Sequence, residues 1–143
     1  MPDTDVKFSI SVDKNEYRST EDIRCKMTLT NTSGKSLHLN KRFLVNLSGQ
    51  QHDVYFEIVD ASGRKAPFGL LVNAGKPEKD DFEQLESQAS VEKSINLASD
   101  FKIDPGTYTV KAVYENKISP PELDASKVWK GKIEANVLNI TVS

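Results

Sequence analysis

The sequence predicts an all-β protein, a single antiparallel β-sandwich of about seven or eight strands that spans residues 1–143. Short runs in which apolar and polar residues alternate recur along the chain, and clusters of turn-forming residues separate them. No stretch has the 3.6-residue periodicity of a convincing amphipathic helix. A chain of 143 residues is long enough to bury a sizeable core without disulfides or a metal.

Five alternating runs in the first half predict strands, and they cover residues 6–12, 23–29, 37–39, 43–47 and 54–58. The first two are expected to form a hairpin or to face each other across the core. A bulge or kink at residues 40–42 is expected to separate the third run from the fourth. Cys25 alternates with Ile23, Met27 and Leu29, which predicts a small buried hydrophobe rather than a redox or catalytic thiol.

The second half of the chain is less regular. Residues 64–80 contain Pro and Gly and are expected to form an irregular segment over the edge of the core. Residues 81–85 fit a short strand or one helical turn, with Phe82 and Leu85 buried in either case. A strand is predicted from Val91 through Phe101 and Ile103. The last two strands are predicted at 107–114 and 138–142, joined by an extended loop over 115–135.

The penultimate strand carries a resemblance to a known fold. Gly106-x-Tyr108-x-Val110-x-Ala112 resembles the corresponding strand of immunoglobulin-like and fibronectin type III-like domains. In those domains a tyrosine near the start of the strand bonds to an upstream backbone group, so Tyr108 is the candidate for this tyrosine corner. The resemblance implies an immunoglobulin-like sandwich over most of the chain and transfers no function.

A weaker similarity concerns the bacterial intracellular proteinase inhibitor family, whose members are small β-sandwiches. The residues on which this similarity rests are Asn31-x-Ser33, Leu37-x-Leu39, Ser48-Gly49-Gln50, Asp53, Val59-Asp60 and Gly63. The spacing from Asn31 to Ser48 is longer than in that family, and its Trp-rich segment has no counterpart here. The similarity implies inhibition as an alternative function and assigns no inhibitory residue.

The composition argues against several functional classes. Nineteen basic and 21 acidic residues give a net charge of −2, so neither nucleic-acid binding nor membrane insertion is expected. His38 and His52 are expected at the surface, and no spacing fits a metal site, a cofactor site or a catalytic triad. We therefore expect no enzyme activity, no metal and no cofactor. The sequence has no signal peptide, and it fits a cytoplasmic protein or the mature part of an exported bacterial one.

The sequence therefore predicts a non-catalytic module that binds another protein through its loops or an edge strand. The candidate contact residues all lie in the loop before the last strand, and they are Trp129, Pro120, Pro121 and Lys127. This loop is expected to be exposed, mobile and dispensable for folding. Trp129 either covers the open end of the sandwich or is an exposed anchor, and the exposed form allows a glycan-binding module as a further alternative. An acidic segment between Glu78 and Glu92 fits a solvated loop and edge strand, or a docking or cation-binding surface.

Overall fold

The computed structural model describes residues 5–46, 51–69 and 75–143. Within these ranges the strands are β1 (Val6–Val12), β2 (Glu16–Tyr17), β3 (Arg24–Asn31), β4 (Leu37–Asn40), β5 (Val54–Asp60), β6 (Phe82–Leu85), β7 (Ser90–Asn96), β8 (Gly106–Asn116), β9 (Gly131–Glu134) and β10 (Leu138–Val142). A single helical turn, α1 (Leu97–Asp100), and two 3₁₀ turns at Lys79–Asp81 and Ala125–Lys127 complete the regular elements. The predicted all-β class is confirmed.

The strands form three sheets. One contains β1, β3 and β7 in that order, a second contains β2, β10, β8 and β5 with β9 also paired to β8, and a third contains β4 and β6. Pairing is antiparallel throughout except between β2 and β10, which run parallel. The predicted pairing of the first two apolar runs is confirmed, because Phe8 pairs with Leu29 and Ile10 with Met27.

One hydrophobic cluster receives side chains from all three sheets. Its members include alternate residues of four strands predicted from the sequence, which are Val6, Phe8 and Ile10, then Cys25, Met27 and Leu29, then Tyr108, Val110, Ala112 and Tyr114, and finally Ile140 and Val142. The rings of Phe8 on β1 and Tyr114 on β8 contact each other with centroids 5.7 Å apart. The predicted burial of Cys25 is confirmed, since its side chain is fully buried.

The bond expected of a tyrosine corner is present. Tyr108 is 6% exposed, and its hydroxyl donates a hydrogen bond to the carbonyl oxygen of Asp104 at 2.7 Å. Burial raises the pKa of Tyr108, because the ionised phenolate would lose its hydration in this position. The phenol therefore fixes the turn that leads into β8.

The strand predicted at 43–47 does not form within the described residues, and Leu47 lies outside them. Phe43 has a φ of 51°, and Val45 makes only an isolated parallel bridge with Val54. The backbone N–H of Leu44 donates to a carboxylate oxygen of Asp53 at 2.9 Å. This local bond replaces a strand ladder, so the prediction of a strand is wrong here.

The strand predicted from Val91 through Ile103 is too long. β7 ends at Asn96, whose side-chain oxygen accepts a hydrogen bond from the N–H of Ala98 and caps α1. Phe101 lies after this turn and forms an isolated bridge with Phe68. Of the two alternatives at 81–85, the short strand forms, since β6 covers Phe82–Leu85 with Phe82 and Leu85 buried, and a 3₁₀ turn, Lys79–Asp81, precedes it.

Within the described ranges, no helix has the length and apolar character needed to span a membrane.

Candidate binding groove

A groove of about 680 Å³ lies at the end of the molecule where β8 finishes. Residues 76–80 form one wall and residues 117–122 form the other, and we call this feature the end groove. Pro77, Ile118, Pro120 and Pro121 supply its apolar surface. Its charges are balanced between three lysines and three carboxylates, which are Lys76, Lys79, Lys117, Glu78, Asp80 and Glu122.

A smaller cavity of about 80 Å³ adjoins the end groove and shares Pro77, Lys117 and Ile118 with it. Its remaining lining is polar and consists of Gln51, His52, Asp53, Glu115 and Asn116. Several of these residues belong to a buried network, which holds the two walls of the groove in place.

Asp53 is the centre of that network. Its carboxylate is almost fully buried and accepts hydrogen bonds from the guanidinium of Arg42, with Nε at 2.7 Å and Nη2 at 3.1 Å. It also accepts from the side-chain amide of Asn40 at 2.8 Å and from the N–H of Leu44 at 2.9 Å. Arg42 donates further to the carbonyl of Gly75 at 2.9 Å, immediately before the first wall. The ion pair therefore fixes the start of residues 76–80.

Asn116 holds the second wall. The side chain of this last residue of β8 is buried, and its amide nitrogen donates to the carbonyls of Ile118 at 3.0 Å and Trp129 at 2.8 Å. One side chain thus ties together both ends of the segment that connects β8 to β9. Its amide oxygen is buried and has no hydrogen-bond partner among the described residues.

Trp129 lies in the core rather than in the groove. It is 5% exposed, and its ring stacks on that of Tyr114 with centroids 5.8 Å apart. The backbone N–H of Trp129 donates to the carbonyl of His38. The alternative of an exposed anchor is therefore wrong, and the ring of Trp129 is buried, as the alternative in which it covers the end of the sandwich requires. The indole fits here because residue 131 is a glycine, since a Cβ at that position would lie 2.8 Å from the ring.

Of the other predicted contact residues, two line the end groove and one does not. Pro120 and Pro121 line the end groove, with Pro120 buried and Pro121 exposed. Lys127 is exposed on the 3₁₀ turn Ala125–Lys127 and does not line the groove. The loop predicted over 115–135 is shorter than expected, since β8 extends to Asn116 and β9 pairs with it from Gly131.

The two histidines also differ from expectation. His52 was predicted at the surface, but it is 9% exposed and its Nε2 lies 3.1 Å from a carboxylate oxygen of Glu115. Its ring meets the ring of Tyr55 edge-on at a centroid distance of 5.2 Å, and this contact accounts for the burial. His38 is half-buried on β4 and forms a parallel bridge with Val128.

The sequence pattern did not identify the network that supports the groove. Arg42 and Asp53 lie 11 residues apart on irregular segments, and no periodicity connects them. The wall at 76–80 includes part of the acidic segment recognised in the sequence, and the 3₁₀ turn Lys79–Asp81 shapes it. Among the described residues, no group of three or more His, Cys, Asp or Glu side chains is placed to hold a metal ion.

No protein-family model matches this sequence, and a search of curated proteins gives no match. Among solved structures, a β-glucosidase from Erythrobacter marinus aligns with 96% of this chain at 12% identity and a TM-score of 0.45. The alignment covers 15% of that enzyme's chain, so this chain spans only a small part of its length. A similarity at this level carries no conclusion about fold or activity.

Proposed function

We propose that this chain is a non-catalytic, immunoglobulin-like β-sandwich module that binds another protein through the end groove. The sandwich arrangement is supported by the single core to which both larger sheets contribute. The immunoglobulin-like assignment is supported by the bond from Tyr108 to the backbone of Asp104. The fold alone implies no function, so the binding proposal depends on the groove.

The observation that carries the proposal is the fixed geometry of the two groove walls. Arg42 holds the chain at Gly75, and Asn116 holds it at Ile118 and Trp129. Because these contacts are already formed in the free protein, the groove walls would lose little conformational entropy when a partner binds. Of the three prolines in the walls, Pro77 and Pro120 are buried, and the exposed Pro121 adds contact surface that is conformationally restricted from the start.

The charge pattern of the groove favours a polypeptide partner. Its balanced lysines and carboxylates match the mixed charge of a protein surface. A nucleic acid would require an excess of basic residues, which this surface lacks.

The two alternatives have less support. Inhibition of proteinases was suggested by Asn31 and Ser33, but Asn31 is buried and its amide donates to the carbonyls of Lys35 and Leu85. The hydrogen bonds of this residue therefore fix a turn of the chain itself. Residues 48–50 of the same similarity lie outside the described residues. Glycan binding depended on an exposed Trp129, whose ring is buried against Tyr114.

Site-specific cross-linking tests the proposal. A photoreactive residue is placed at Ser119 in the groove wall and, as a control, at Ser62 in the exposed turn after β5. Protein binding through the groove predicts that one partner cross-links from position 119 and not from position 62. The affinity of that purified partner is then measured for the double variant Lys117→Glu, Pro121→Glu, and for Lys111→Glu, whose side chain is exposed on β8.

The double variant is expected to bind the partner at least about tenfold more weakly, whereas Lys111→Glu binds as the parent does. Circular dichroism establishes that both variants are folded. Equal affinity of the double variant and the parent would exclude the end groove as the binding surface. Inhibition of a proteinase panel by the parent protein would favour the inhibitor alternative instead.

A further inference from the structure

β7 is an edge strand with an uncovered side. Its seven residues pair with β3, and among the described residues no other strand pairs with it. No backbone N–H or C=O of residues 91–95 makes a hydrogen bond beyond this ladder within the same ranges. An edge of this kind presents a row of donors and acceptors that a further extended segment can pair with.

Other sheet edges are contacted at single points by the rest of the chain. On β1, the side chain of Asn136 bonds to both backbone groups of Ile10, accepting from its N–H and donating to its C=O at 2.9 Å each. The carbonyls of Asn15 and Tyr17 accept from the N–H groups of Thr141 and Ser143 beside β10.

β5 is flanked at both ends. The N–H of Asn46 donates to the carbonyl of Val54, and the N–H of Ala66 donates to the carbonyl of Ile58. Among the described residues, β7 is the seven-residue edge strand for which no such contact is present on the second side.

The register with β3 gives β7 a definite chemical pattern. Val91, Lys93 and Ile95 pair with Leu29, Met27 and Cys25, all of which are fully buried. Directly paired residues share one face of a sheet, so a lysine lies between two apolar residues on the core-facing side of β7. The side chain of Lys93 is exposed at this open edge, where its ammonium donates to the carbonyl of Arg42 at 3.3 Å.

This lysine disfavours pairing of β7 with a second copy of itself. In an antiparallel two-fold pair, residues can oppose each other only if both lie on the same face. If the two-fold axis passes beside residue 93, the Lys93 side chains of the two copies lie opposite each other. If the axis moves by one residue, Lys93 of each copy lies opposite Val91 or Ile95 of the other copy, and its charge would be desolvated without a counter-charge. A lysine directed inward on an edge strand is a recognised protection against such pairing.

We propose that β7 accepts an extended segment of another protein as an additional strand, provided that the segment places an acidic side chain opposite Lys93. The residues two positions before and after the acidic one lie opposite Val91 and Ile95 and should be apolar. The pattern is therefore apolar, any residue, Asp or Glu, any residue, apolar. It reads the same in both chain directions, so it defines composition and leaves the direction open. This surface is separate from the end groove, and the inference does not depend on the proposed function.

The argument for this partner is charge complementarity. The acidic side chain supplies the counter-charge that neither a second copy of β7 nor a neutral strand provides. The backbone hydrogen bonds supply affinity, and the ion pair selects the sequence. Glu92 and Ser94 lie on the opposite, solvent-facing side, so the two intervening residues of the segment meet polar neighbours.

A charge-reversal experiment with synthetic peptides tests the proposal. The blocked heptapeptide TVKETVT carries the pattern, and TVKKTVT reverses its central charge. Binding of each is measured by amide chemical-shift changes up to millimolar peptide for the parent protein, Lys93→Glu and Lys7→Glu. Lys7 is exposed on β1 and provides a control with the same change in net charge.

The parent and Lys7→Glu are expected to bind TVKETVT at least about tenfold more tightly than TVKKTVT, and Lys93→Glu is expected to reverse the order. The shifted amides should be those of residues 91–95. The proposal is overturned if both variants respond alike, if the shifts map elsewhere, or if the parent binds neither peptide at millimolar concentration. Lys117→Glu should bind TVKETVT as the parent does, which separates this result from a failure of the groove proposal.

Discussion

The indole of Trp129 lies almost parallel to the phenol ring of Tyr114, with an interplanar angle of 29° and centroids 5.8 Å apart. Tyr114 is fully buried on β8, and its hydroxyl donates to the carbonyl of Asn40 at 2.8 Å. Burial holds the pKa of Tyr114 far above its ordinary value. The two stacked rings therefore join the segment after the end groove to the centre of the core, and this segment is part of the folded unit.

Replacing Trp129 with Ala is expected to lower the free energy of unfolding by about 3–5 kcal/mol, because a large cavity would remain beside Tyr114. Equilibrium denaturation in urea measures the change. Val137→Ala serves as a control, since Val137 is the one large hydrophobic residue classed as exposed among the described residues, at 52%. Its loss should cost no more than about 0.5 kcal/mol. Equal effects of the two substitutions would contradict the burial of Trp129.

Gly131 extends this prediction to a double-mutant cycle. A Cβ at this position would lie 2.8 Å from a ring carbon of Trp129, so Gly131→Ala is expected to cost about 1–3 kcal/mol. In the Trp129→Ala background the clash is absent, so the same substitution should cost less, and the remaining cost is the backbone strain of an alanine at a φ of 158°. Gly34→Ala is the control, since nothing lies within 4 Å of its Cβ position. Additive effects at 129 and 131 would show that the clash is not the cause.

The second prediction concerns the Asp53 carboxylate, which is 2% exposed and paired with Arg42. Asp53→Asn keeps the shape of the side chain but removes its charge, and it places an amide NH₂ against N–H groups that donate to the carboxylate. The free energy of unfolding is therefore expected to fall by about 3–5 kcal/mol. The matched control is Glu83→Gln, which breaks the exposed ion pair between Glu83 and Lys41. That pair should contribute no more than about 1 kcal/mol. Urea denaturation of both variants at neutral pH decides, and comparable losses would contradict the buried role of Asp53.

The third prediction is a loss of stability at alkaline pH. Burial raises the pKa of the Cys25 thiol from 9.0 to about 12. Between these values the unfolded chain releases the thiol proton and the folded chain retains it, so rising pH favours unfolding. The free energy of unfolding should fall above about pH 9 by up to about 1.4 kcal/mol per pH unit from this group. Cys25→Ala should flatten the decline between pH 9 and 12, and an unchanged slope would contradict the assignment.

Sequence periodicity was sufficient for the strands whose faces are sharply divided. Val110 and Ile140 are almost fully buried as their phase predicted. The bond from Tyr108 to an upstream backbone group was implied by the resemblance to immunoglobulin-like domains, and the structure gives the carbonyl of Asp104 as its acceptor. In these strands a one-residue slip would move the apolar set to solvent, so the pattern fixes the structure. The same reasoning identified Phe82 and Leu85 as buried before the type of element was known.

Periodicity failed where residues distant in the chain decide the outcome. The position of Trp129 depends on the ring of Tyr114 and on the missing side chain of Gly131. The end groove depends on the bond from Arg42 to Asp53 and on the two bonds of Asn116. None of these relationships follows from local alternation. The contacts of Trp129 with Tyr114, of Arg42 with Asp53 and of Asn116 with Trp129 join separate segments, and those of Gly131 with Trp129 and Asn116 with Ile118 lie in irregular backbone. The two-residue strand β2 was missed for the same reason.

The last prediction follows from the position of Lys93 on β7. Lys93→Val would give the core-facing side of this edge three apolar residues in succession, at positions 91, 93 and 95. The charge that opposes pairing of two copies would be lost, so the variant is expected to self-associate more strongly than the parent. Sedimentation velocity over a range of concentrations should give a larger, more concentration-dependent sedimentation coefficient. Lys7→Val adds the same side chain to β1, whose edge is bonded by Asn136 at Ile10, and should behave as the parent does. If the two valine variants associate equally, added hydrophobic surface is the cause and the uncovered edge of β7 is not.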